Sequence, residues 1–132
     1  AERLNNIAIH HYQNNVGAIN SQKAALQNMR ERNAEEEGFA RMNAAAFAAL
    51  RPGGRYILID HQAAPGTGVS AVQTLHRIEG DYLKREVQAA GFVYEGESTA
   101  VANPADDHSL NVFDERIRGR TDQFVYRFRK PG

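Results

Sequence analysis

The sequence predicts an α/β fold with a mixed sheet of about four strands. A helix-forming stretch stops at Pro52-Gly53-Gly54, and the apolar run 56–59 follows at once, which is the helix-to-strand order of α/β folds. Near the end of the chain, residues 122–128 alternate aromatic with other side chains, the pattern of a half-buried strand. Continuous apolar runs are typical of parallel strands and alternating runs of antiparallel ones, so the two together indicate a mixed sheet.

The first third of the chain contains a predicted strand and a predicted helix. The apolar run 7–9 predicts a short strand, and the Asn- and Gly-bearing cluster 13–17 predicts the turn that ends it. Residues 18–33 are mostly good helix formers, and their larger apolar side chains recur near one face. We therefore expect an amphipathic helix there.

A second helix is predicted over residues 39–50. The acidic run 35–37 precedes it, and negative charge stabilises the amino end of a helix. Its apolar side chains are spaced to form one stripe: Phe39, Met42, Ala46, Phe47 and Leu50. Pro52 disfavours helical backbone in the residue before it, and Gly53-Gly54 permits a sharp turn, so the helix should end near Leu50.

The remaining elements complete the predicted sheet. The apolar run 56–59 suits a central parallel strand covered on both faces. Residues 80–90 have a helical pattern that a glycine ends, and 92–98 and 122–128 are half-buried strands that we expect to be antiparallel. The polar stretch 103–121 between them is longer than most connections, which is typical of binding loops, lids or mobile segments.

Composition narrows the class of protein. The chain has 132 residues, 16 basic and 16 acidic side chains, and no cysteine. This length suits a single domain, residues 1–132, and the lack of thiols excludes disulfides and thiolate chemistry. Nucleic-acid binders usually carry a basic excess, and no apolar stretch approaches the roughly 20 residues that cross a bilayer. We expect a cytoplasmic protein that binds neither nucleic acid nor membranes.

Several segments have the order and composition of a known enzyme family. They are Arg51-Pro52-Gly53-Gly54 with the run 56–61, Ala64-Pro65-Gly66-Thr67-Gly68, Thr74-Leu75-His76-Arg77-Ile78, Ala89-Ala90-Gly91-Phe92, Asn103-Pro104-Ala105-Asp106 and Thr121-Asp122-Gln123-Phe124-Val125. Over residues 39–131 the set resembles the C-terminal half of a small bacterial class I S-adenosylmethionine-dependent methyltransferase, while residues 1–38 diverge from it.

The resemblance implies a truncated Rossmann-like methyltransferase fold with an antiparallel C-terminal hairpin. Residues 56–59, 93–98 and 124–128 resemble the fifth, sixth and seventh strands of the family's sheet, and 7–9 a remnant of the fourth. The family transfers a methyl group from S-adenosylmethionine to a small acceptor. Its donor-binding glycine-rich turn and acidic residue follow the first two strands, and this chain contains neither, so its cofactor-binding residues stay unassigned.

Catalytic candidates end two of the predicted strands. Asp60 and His61 follow the run 56–59, at the sheet edge where α/β proteins gather ligands. Histidine titrates near neutral pH and can take a proton from a hydroxyl or amine, and a carboxylate can orient it. We therefore predict His61 as a base and Asp60 as its orienting carboxylate. His10 and His11 end the other candidate parallel strand and are predicted to line the same cleft.

Three further residues are predicted to contact substrate. Tyr12 follows the histidine pair, and His76 and Arg77 precede the helix at 80–90. An ordinary loop hydrogen bond for His76 and solvent contact for Arg77 are the alternatives. No His-x-x-x-His pair or flanking acidic ligand set accompanies the histidines, so we expect no metal.

Two loop motifs have ordinary interpretations. The Gly-x-Gly at 66–68 follows a strand but lacks the third glycine and the immediate helix of a nucleotide-binding turn, which favours a flexible loop. Asp106-Asp107-His108 could supply paired carboxylates, but such loop runs are more often solvated or turn-forming.

Two other functions stay open. Ser70 could form the triad of a small hydrolase with His61 or His76 and Asp60, although the closing glycine of a nucleophile elbow is missing. Alternatively the chain is a noncatalytic or repurposed binding module. Loss of the family's first three strands would uncover one sheet edge, and uncovered edges pair, so we expect a homodimer through that edge. The enzyme interpretations also imply a small-molecule substrate.

Overall fold

The structure is a computed structural model that describes residues 16–132, with side chains described from Asn20 onward. The chain divides into two compact units, residues 1–35 and residues 36–132. All the strands of the described part, its two shorter helices and the candidate site belong to the second unit.

Four of the sequence predictions lie outside the described residues. They concern the strand at 7–9 and the predicted cleft residues His10, His11 and Tyr12. They stay predictions.

The described elements are three helices and three strands. In chain order they are α1 (Val16–Ala49), β1 (Arg55–His61), α2 (Val72–Leu75), α3 (Gly80–Ala89), β2 (Val93–Ser98) and β3 (Gln123–Arg129). The predicted α/β class is confirmed. Each predicted helix and strand within the described residues exists, except that the two predicted helices before β1 are one. Residues 16 and 17 of the predicted turn belong to that helix.

Helix α1 is continuous over 34 residues, so the predicted interruption near residues 34–38 is wrong. The acidic residues there are good helix formers, and one glycine in a helix interior costs only about 1 kcal/mol relative to alanine. The predicted end is confirmed, because α1 stops at Ala49. A turn follows in which Gly54 N–H donates to the carbonyl of Arg51 at 2.8 Å, and Gly53 takes a φ of 83° that other residues rarely adopt.

The sheet has the strand order β1-β3-β2, and β3 is antiparallel to both neighbours. The predicted mixed sheet of about four strands is therefore wrong for the described part of the chain, where three strands form an open antiparallel sheet. The predicted antiparallel pairing of the last two strands is confirmed. Because β3 lies between them, β1 and β2 run in the same direction without backbone pairing to each other.

The apolar run of β1 predicts a central strand with both faces covered, and within residues 16–132 this prediction is wrong. The strand lies at one edge of the described sheet, and Ile57 and Ile59 are 55% and 59% exposed. The apolar run gives no information about its neighbours, so it cannot distinguish an edge strand from a central one. The sheet face on which Ile57 and Ile59 lie is therefore not covered by any helix of residues 36–132.

The hydrophobic core of the second unit lies against the other face of the sheet. Buried aromatic side chains of β3 pack there with apolar side chains of α3, including Tyr82, Leu83 and Val87. Four of the five residues in the predicted stripe pack against the core: Phe39, Ala46 and Phe47 of α1, and Leu50 directly after it. Burial of these groups provides most of the stabilisation, because apolar surface leaves water.

One buried polar contact links β1 to α1 within this core. The hydroxyl of Tyr56 donates to Oδ1 of Asn43 at 3.0 Å, and the Asn43 side chain is fully buried, with Nδ2 unpartnered. Tyr56→Phe should therefore lower the free energy of unfolding by about 1–3 kcal/mol, because it leaves a buried amide oxygen without its donor. Urea denaturation measures this loss.

The control for that substitution is Tyr94→Phe. The Tyr94 ring packs edge-on against Tyr126 and Phe128, and within residues 20–132 its hydroxyl has no hydrogen-bond partner. The control should unfold at nearly the wild-type urea concentration. Equal losses in the two variants would contradict the role given to the Asn43 contact.

Candidate functional site

The carboxyl end of β1 is tied to two other segments by backbone hydrogen bonds. Gln62 N–H donates to the carbonyl of Asp122 at 2.8 Å, and Ile78 N–H donates to the carbonyl of His61 at 3.0 Å. The end of β1, the turn before α3 and the start of β3 therefore meet at one place. This is the sheet end at which the sequence predicts ligand binding.

Asp60 and His61 end β1 as predicted, but their side chains do not bond to each other. Asp60 Oδ1 accepts a hydrogen bond from the backbone N–H of His61 at 2.7 Å, whereas ring Nδ1 of His61 lies 2.7 Å from Oγ1 of Thr121. Burial raises the pKa of Asp60, and the hydrogen bond and charge of His61 oppose that rise only in part. Thr121, not Asp60, orients the imidazole.

Arg77 and Asp106 form a buried ion pair behind this sheet end. The guanidinium donates to both carboxylate oxygens, at 2.8 and 3.1 Å, and the two side chains are 0% and 1% exposed. Arg77 also donates to the carbonyls of Leu110 and Gln62, at 2.9 and 3.0 Å. The anion that Arg77 meets is thus a carboxylate of its own chain, and solvent contact does not occur.

The same carboxylate holds the backbone of two further residues. Asp106 Oδ1 accepts from the N–H of His108 at 3.0 Å, and Oδ2 from the N–H of Asp122 at 2.8 Å. Burial alone would raise the pKa of Asp106, but the hydrogen bonds from Arg77, Asp122 and His108 and the charge of Arg77 together hold it below the usual value. Asp106 is therefore an ionised anchor, and the solvated-turn interpretation of residues 106–108 is incomplete.

His108 and Asp122 form a side-chain pair on this anchor. Nε2 of His108 lies 2.9 Å from Oδ2 of Asp122, and each side chain is about one-fifth exposed. Asp122 Oδ1 also accepts from the backbone N–H of Asn103 at 2.9 Å. His108 takes a φ of 67°, which is uncommon for a residue with a side chain.

The pair borders a cleft with a volume of about 220 Å³. Seven residues line this cleft: Gln62, Ala63, Pro65, Glu79, Asp81, His108 and Asp122. Gln62 is fixed there because its Oε1 accepts from the N–H of Gly80 at 2.8 Å. We call this space the His108 cleft.

The Gly-x-Gly at 66–68 is occupied by a carboxylate of the protein. The two Glu79 carboxylate oxygens accept from the N–H groups of Gly66 and Gly68, at 2.7 and 3.1 Å. The two amides therefore bind Glu79, so a carboxylate of the protein holds the loop that the sequence predicts to be flexible.

His76 and Ser70 lie apart from any catalytic arrangement among the described residues. His76 is exposed, has a φ of 57° at the end of α2, and packs edge-on against Phe113, with ring centroids 5.2 Å apart. Ser70 is exposed, and in residues 20–132 no hydrogen bond joins its hydroxyl to a histidine. The geometry gives the hydrolase alternative no support.

The sequence interpretation missed the His108 cleft. The only features of the sequence that point to this cleft are the acidic run beside His108 within a long polar loop, and the position of Asp122 just before β3.

Among the residues described, no group of three or more His, Asp or Glu side chains could hold a metal ion. None of the described helices is both long and apolar enough to pass through a bilayer.

Comparison with protein-family models, with curated proteins and with solved structures finds no match to this chain. The class that the fold of residues 16–132 defines is α/β, with a three-stranded antiparallel sheet and a polar cleft at the carboxyl end of β1.

Proposed function

We propose that this chain provides the acceptor side of an S-adenosylmethionine-dependent methyltransferase. The observation that carries the proposal is the sheet. Its last two strands pair antiparallel, as in the family that residues 39–131 resemble. Strand β1, which resembles the family's fifth strand, ends in a polar group that includes His61. Ligands of open α/β sheets bind outside the carboxyl ends of the strands.

His61 is the proton acceptor in this proposal. One ring nitrogen bonds to Thr121 Oγ1 at 2.7 Å, and Nε2 has no hydrogen-bond partner within residues 20–132. An imidazole held at one nitrogen and free at the other can take a proton from an acceptor hydroxyl or amine. Asp60 fixes the backbone of His61 and not its ring, so it acts as a positioning residue.

The described residues do not fit the donor. The amides of their Gly-x-Gly turn already bind Glu79, and no glycine-rich turn follows any other described strand. We therefore assign the donor to no residue of the described part and derive no step through it.

An NMR titration with S-adenosylhomocysteine, the demethylated product of the donor, tests the proposal. Donor and acceptor meet at one sheet edge in a methyltransferase, so the product should contact the acceptor side even where no donor site holds it. This contact alone should give weak binding, with a Kd of about 1 mM or above, and shift the amide signals of His61, Gln62 and Thr121. Ser70→Ala, outside this edge, should give the same shifts.

Two outcomes would contradict the proposal as stated. Absence of shifts at the end of β1 would remove the acceptor-side assignment, and micromolar affinity would mean that the chain contains a donor site after all.

A noncatalytic dimeric module is the second candidate function. Its support is the uncovered sheet face with Ile57 and Ile59, together with the unpaired outer edges of β1 and β2 in the described sheet. Exposed edges and apolar faces promote association. Sedimentation equilibrium tests for the homodimer, because a monomer at 100 μM would exclude a stable one.

A further inference from the structure

The uncovered face of the sheet combines apolar side chains with a cluster of arginines. Residues that lie opposite one another in the register share a face of the sheet. Three rows across the strands make up this face: Arg55, Arg129 and Val93; Ile57, Arg127 and Gly96; and Ile59, Val125 and Ser98. We call it the open face, and we propose that it binds an acidic amphipathic helix from outside this sequence.

The charge of the open face selects an acidic partner. Arg55, Arg127 and Arg129 all contact one carboxylate, that of Glu95 at the bulge of β2. With three positive side chains and one negative one, the face has an excess of two positive charges. Opposite charge across an interface favours association and like charge opposes it.

The arginines also have hydrogen-bond donors that the protein does not use. Their closest contacts with Glu95 run through Nε, at 2.6 Å for Arg55, 3.3 Å for Arg127 and 3.4 Å for Arg129. Glu95 Oε1 is buried, and none of these contacts is aligned well enough to give it a hydrogen bond. Within residues 20–132, the terminal guanidinium nitrogens of Arg127 and Arg129 donate no hydrogen bond. Carboxylates of a partner would accept from these nitrogens, which match the two oxygens of a carboxyl group.

The same charges exclude two occupants from this sequence. Contact between the open faces of two copies would place arginines against arginines, because a twofold interface uses the same patch on both subunits. A homodimer through the outer strand edges would leave the open face free. Residues 1–35 have four basic and three acidic side chains, an excess of the same sign as that of the face, so they do not supply an acidic helix.

The dimensions of the open face suit a single helix. Its three strands span roughly 10 Å from side to side, and seven extended residues span about 23 Å. An α-helix with its side chains is about 10–12 Å wide, and about 15 helical residues are 23 Å long. Helices that bury an apolar stripe against one sheet face are a common architecture of α/β proteins.

A groove on the open face provides a place for an apolar side chain of that helix. The groove has a volume of about 330 Å³ and is lined by Ile57, Glu95, Gly96, Glu97, Ser98, Val125 and Arg127. A Cβ added at Gly96 would meet no atom within 4 Å, so the bulge leaves space above the backbone. Side chains that fill such pockets contribute most of the affinity at protein interfaces.

The order of the rows sets the pattern of the partner helix. Arg55 and Arg129 lie at the start of β1, whereas Ile59 and Val125 lie towards its end. The helix should therefore have carboxylates near one end and apolar side chains near the other. Acidic residues stabilise the first turn of a helix, so we expect its amino end to lie over Arg55 and Arg129.

NMR titration of the full chain with two designed peptides tests the proposal. The acidic probe has about 15 residues, with glutamates in its first two turns and a leucine stripe in the remaining turns; the second peptide has lysine at every glutamate position. The acidic probe should shift the amide signals of Ile57, Ile59 and Val125 with a Kd of about 0.1–1 mM, and the lysine peptide should not. Raising NaCl from about 0.05 to about 0.5 M should weaken binding, because salt screens exposed charges.

Two substitutions with matched controls assign the contact. Arg127→Ala should weaken binding of the acidic probe about tenfold, whereas Arg118→Ala, which removes an exposed arginine outside the open face, should leave it unchanged. Ile57→Ser should weaken binding to a similar extent, and Val101→Ser, at another exposed apolar position, should not. Ile57 and Arg127 are both more than half exposed, and the salt dependence needs no variant at all.

Several results would overturn the proposal. Absence of shifts at an acidic-probe concentration of about 5 mM, or equal binding of the lysine peptide, would remove the acidic partner. Open-face signals that shift with protein concentration alone would assign the face to a second copy, and shifts caused by phosphatidylglycerol vesicles would assign it to a membrane surface. None of these readouts involves S-adenosylhomocysteine, so failure here leaves the methyltransferase proposal standing, and the reverse also holds.

Discussion

Replacing Arg77 by alanine is expected to lower the free energy of unfolding by about 3–5 kcal/mol, the usual loss when one partner of a buried ion pair is removed. The reason is the carboxylate left behind. Asp106 would remain buried without its two guanidinium hydrogen bonds, and the carbonyls of Gln62 and Leu110 would lose their donor. Urea denaturation at pH 7 measures the loss.

The matched control for Arg77→Ala is Arg116→Ala. Arg116 also bonds both oxygens of a carboxylate, that of Asp114, but the arginine is largely exposed. Exposed pairs contribute little because water solvates the separated charges, so this variant should unfold at the wild-type urea concentration. Similar losses for the two arginines would contradict the importance given to burial.

The pH dependence of the Arg77 effect has a definite sign. The pKa of Asp106 in the folded protein lies below its unperturbed value of 3.8. The stabilisation is therefore fully present above that value and is lost as the pH falls through the lower, folded-state pKa. The difference between wild type and Arg77→Ala should accordingly shrink at strongly acidic pH, and a difference that grew on acidification would reverse the assigned sign.

The local elements of this fold are predictable because their signals are local. Pro52 and the glycines after it end α1, the apolar run 56–59 forms β1, and the helical pattern after Gly80 forms α3. Strand order cannot be predicted in this way, because β3 is far along the chain from both strands that it separates. Pairing of this kind depends on contacts between whole surfaces, and no short pattern of residues encodes it.

One part of the candidate site could likewise be predicted from local sequence, and the other part could not. Asp60 and His61 were predictable because a strand end positions them directly. His108 and Asp122 are 14 residues apart and meet because a third residue, Asp106, binds both of their backbone amides. The sequence around His108 contains only an acidic run in a loop, which is compatible with a solvated turn. Arg77, the buried partner that makes Asp106 an anchor instead of a solvated turn residue, lies 29 positions from Asp106 along the chain.

Phe128→Ala should lower the free energy of unfolding by about 3–5 kcal/mol, the usual range for removing a buried phenylalanine ring. Phe128 is fully buried on the central strand, and it lies opposite Tyr56 of β1 and Tyr94 of β2 in the register of the sheet. Its removal leaves a cavity between three strands, where the backbone pairing prevents collapse. Thermal and urea denaturation both report the loss.

Phe113→Ala is the matched control, because it removes the same side chain from an exposed position. Phe113 is 64% exposed and its ring contacts His76 edge-on, so its removal should change stability by no more than about 0.5 kcal/mol, as for most surface substitutions. Strand β3 begins directly after Asp122, so the same pair of variants also separates the stability of the core from the geometry of the His108–Asp122 pair. In folded Phe128→Ala protein, studied without urea, the backbone amide and imidazole NMR signals of His108 should keep their wild-type positions, because Asp106 and Arg77, not the aromatic core, hold the pair in place. A clear change of those signals would mean that the core positions the pair, and the anchoring role given to Asp106 would then be wrong.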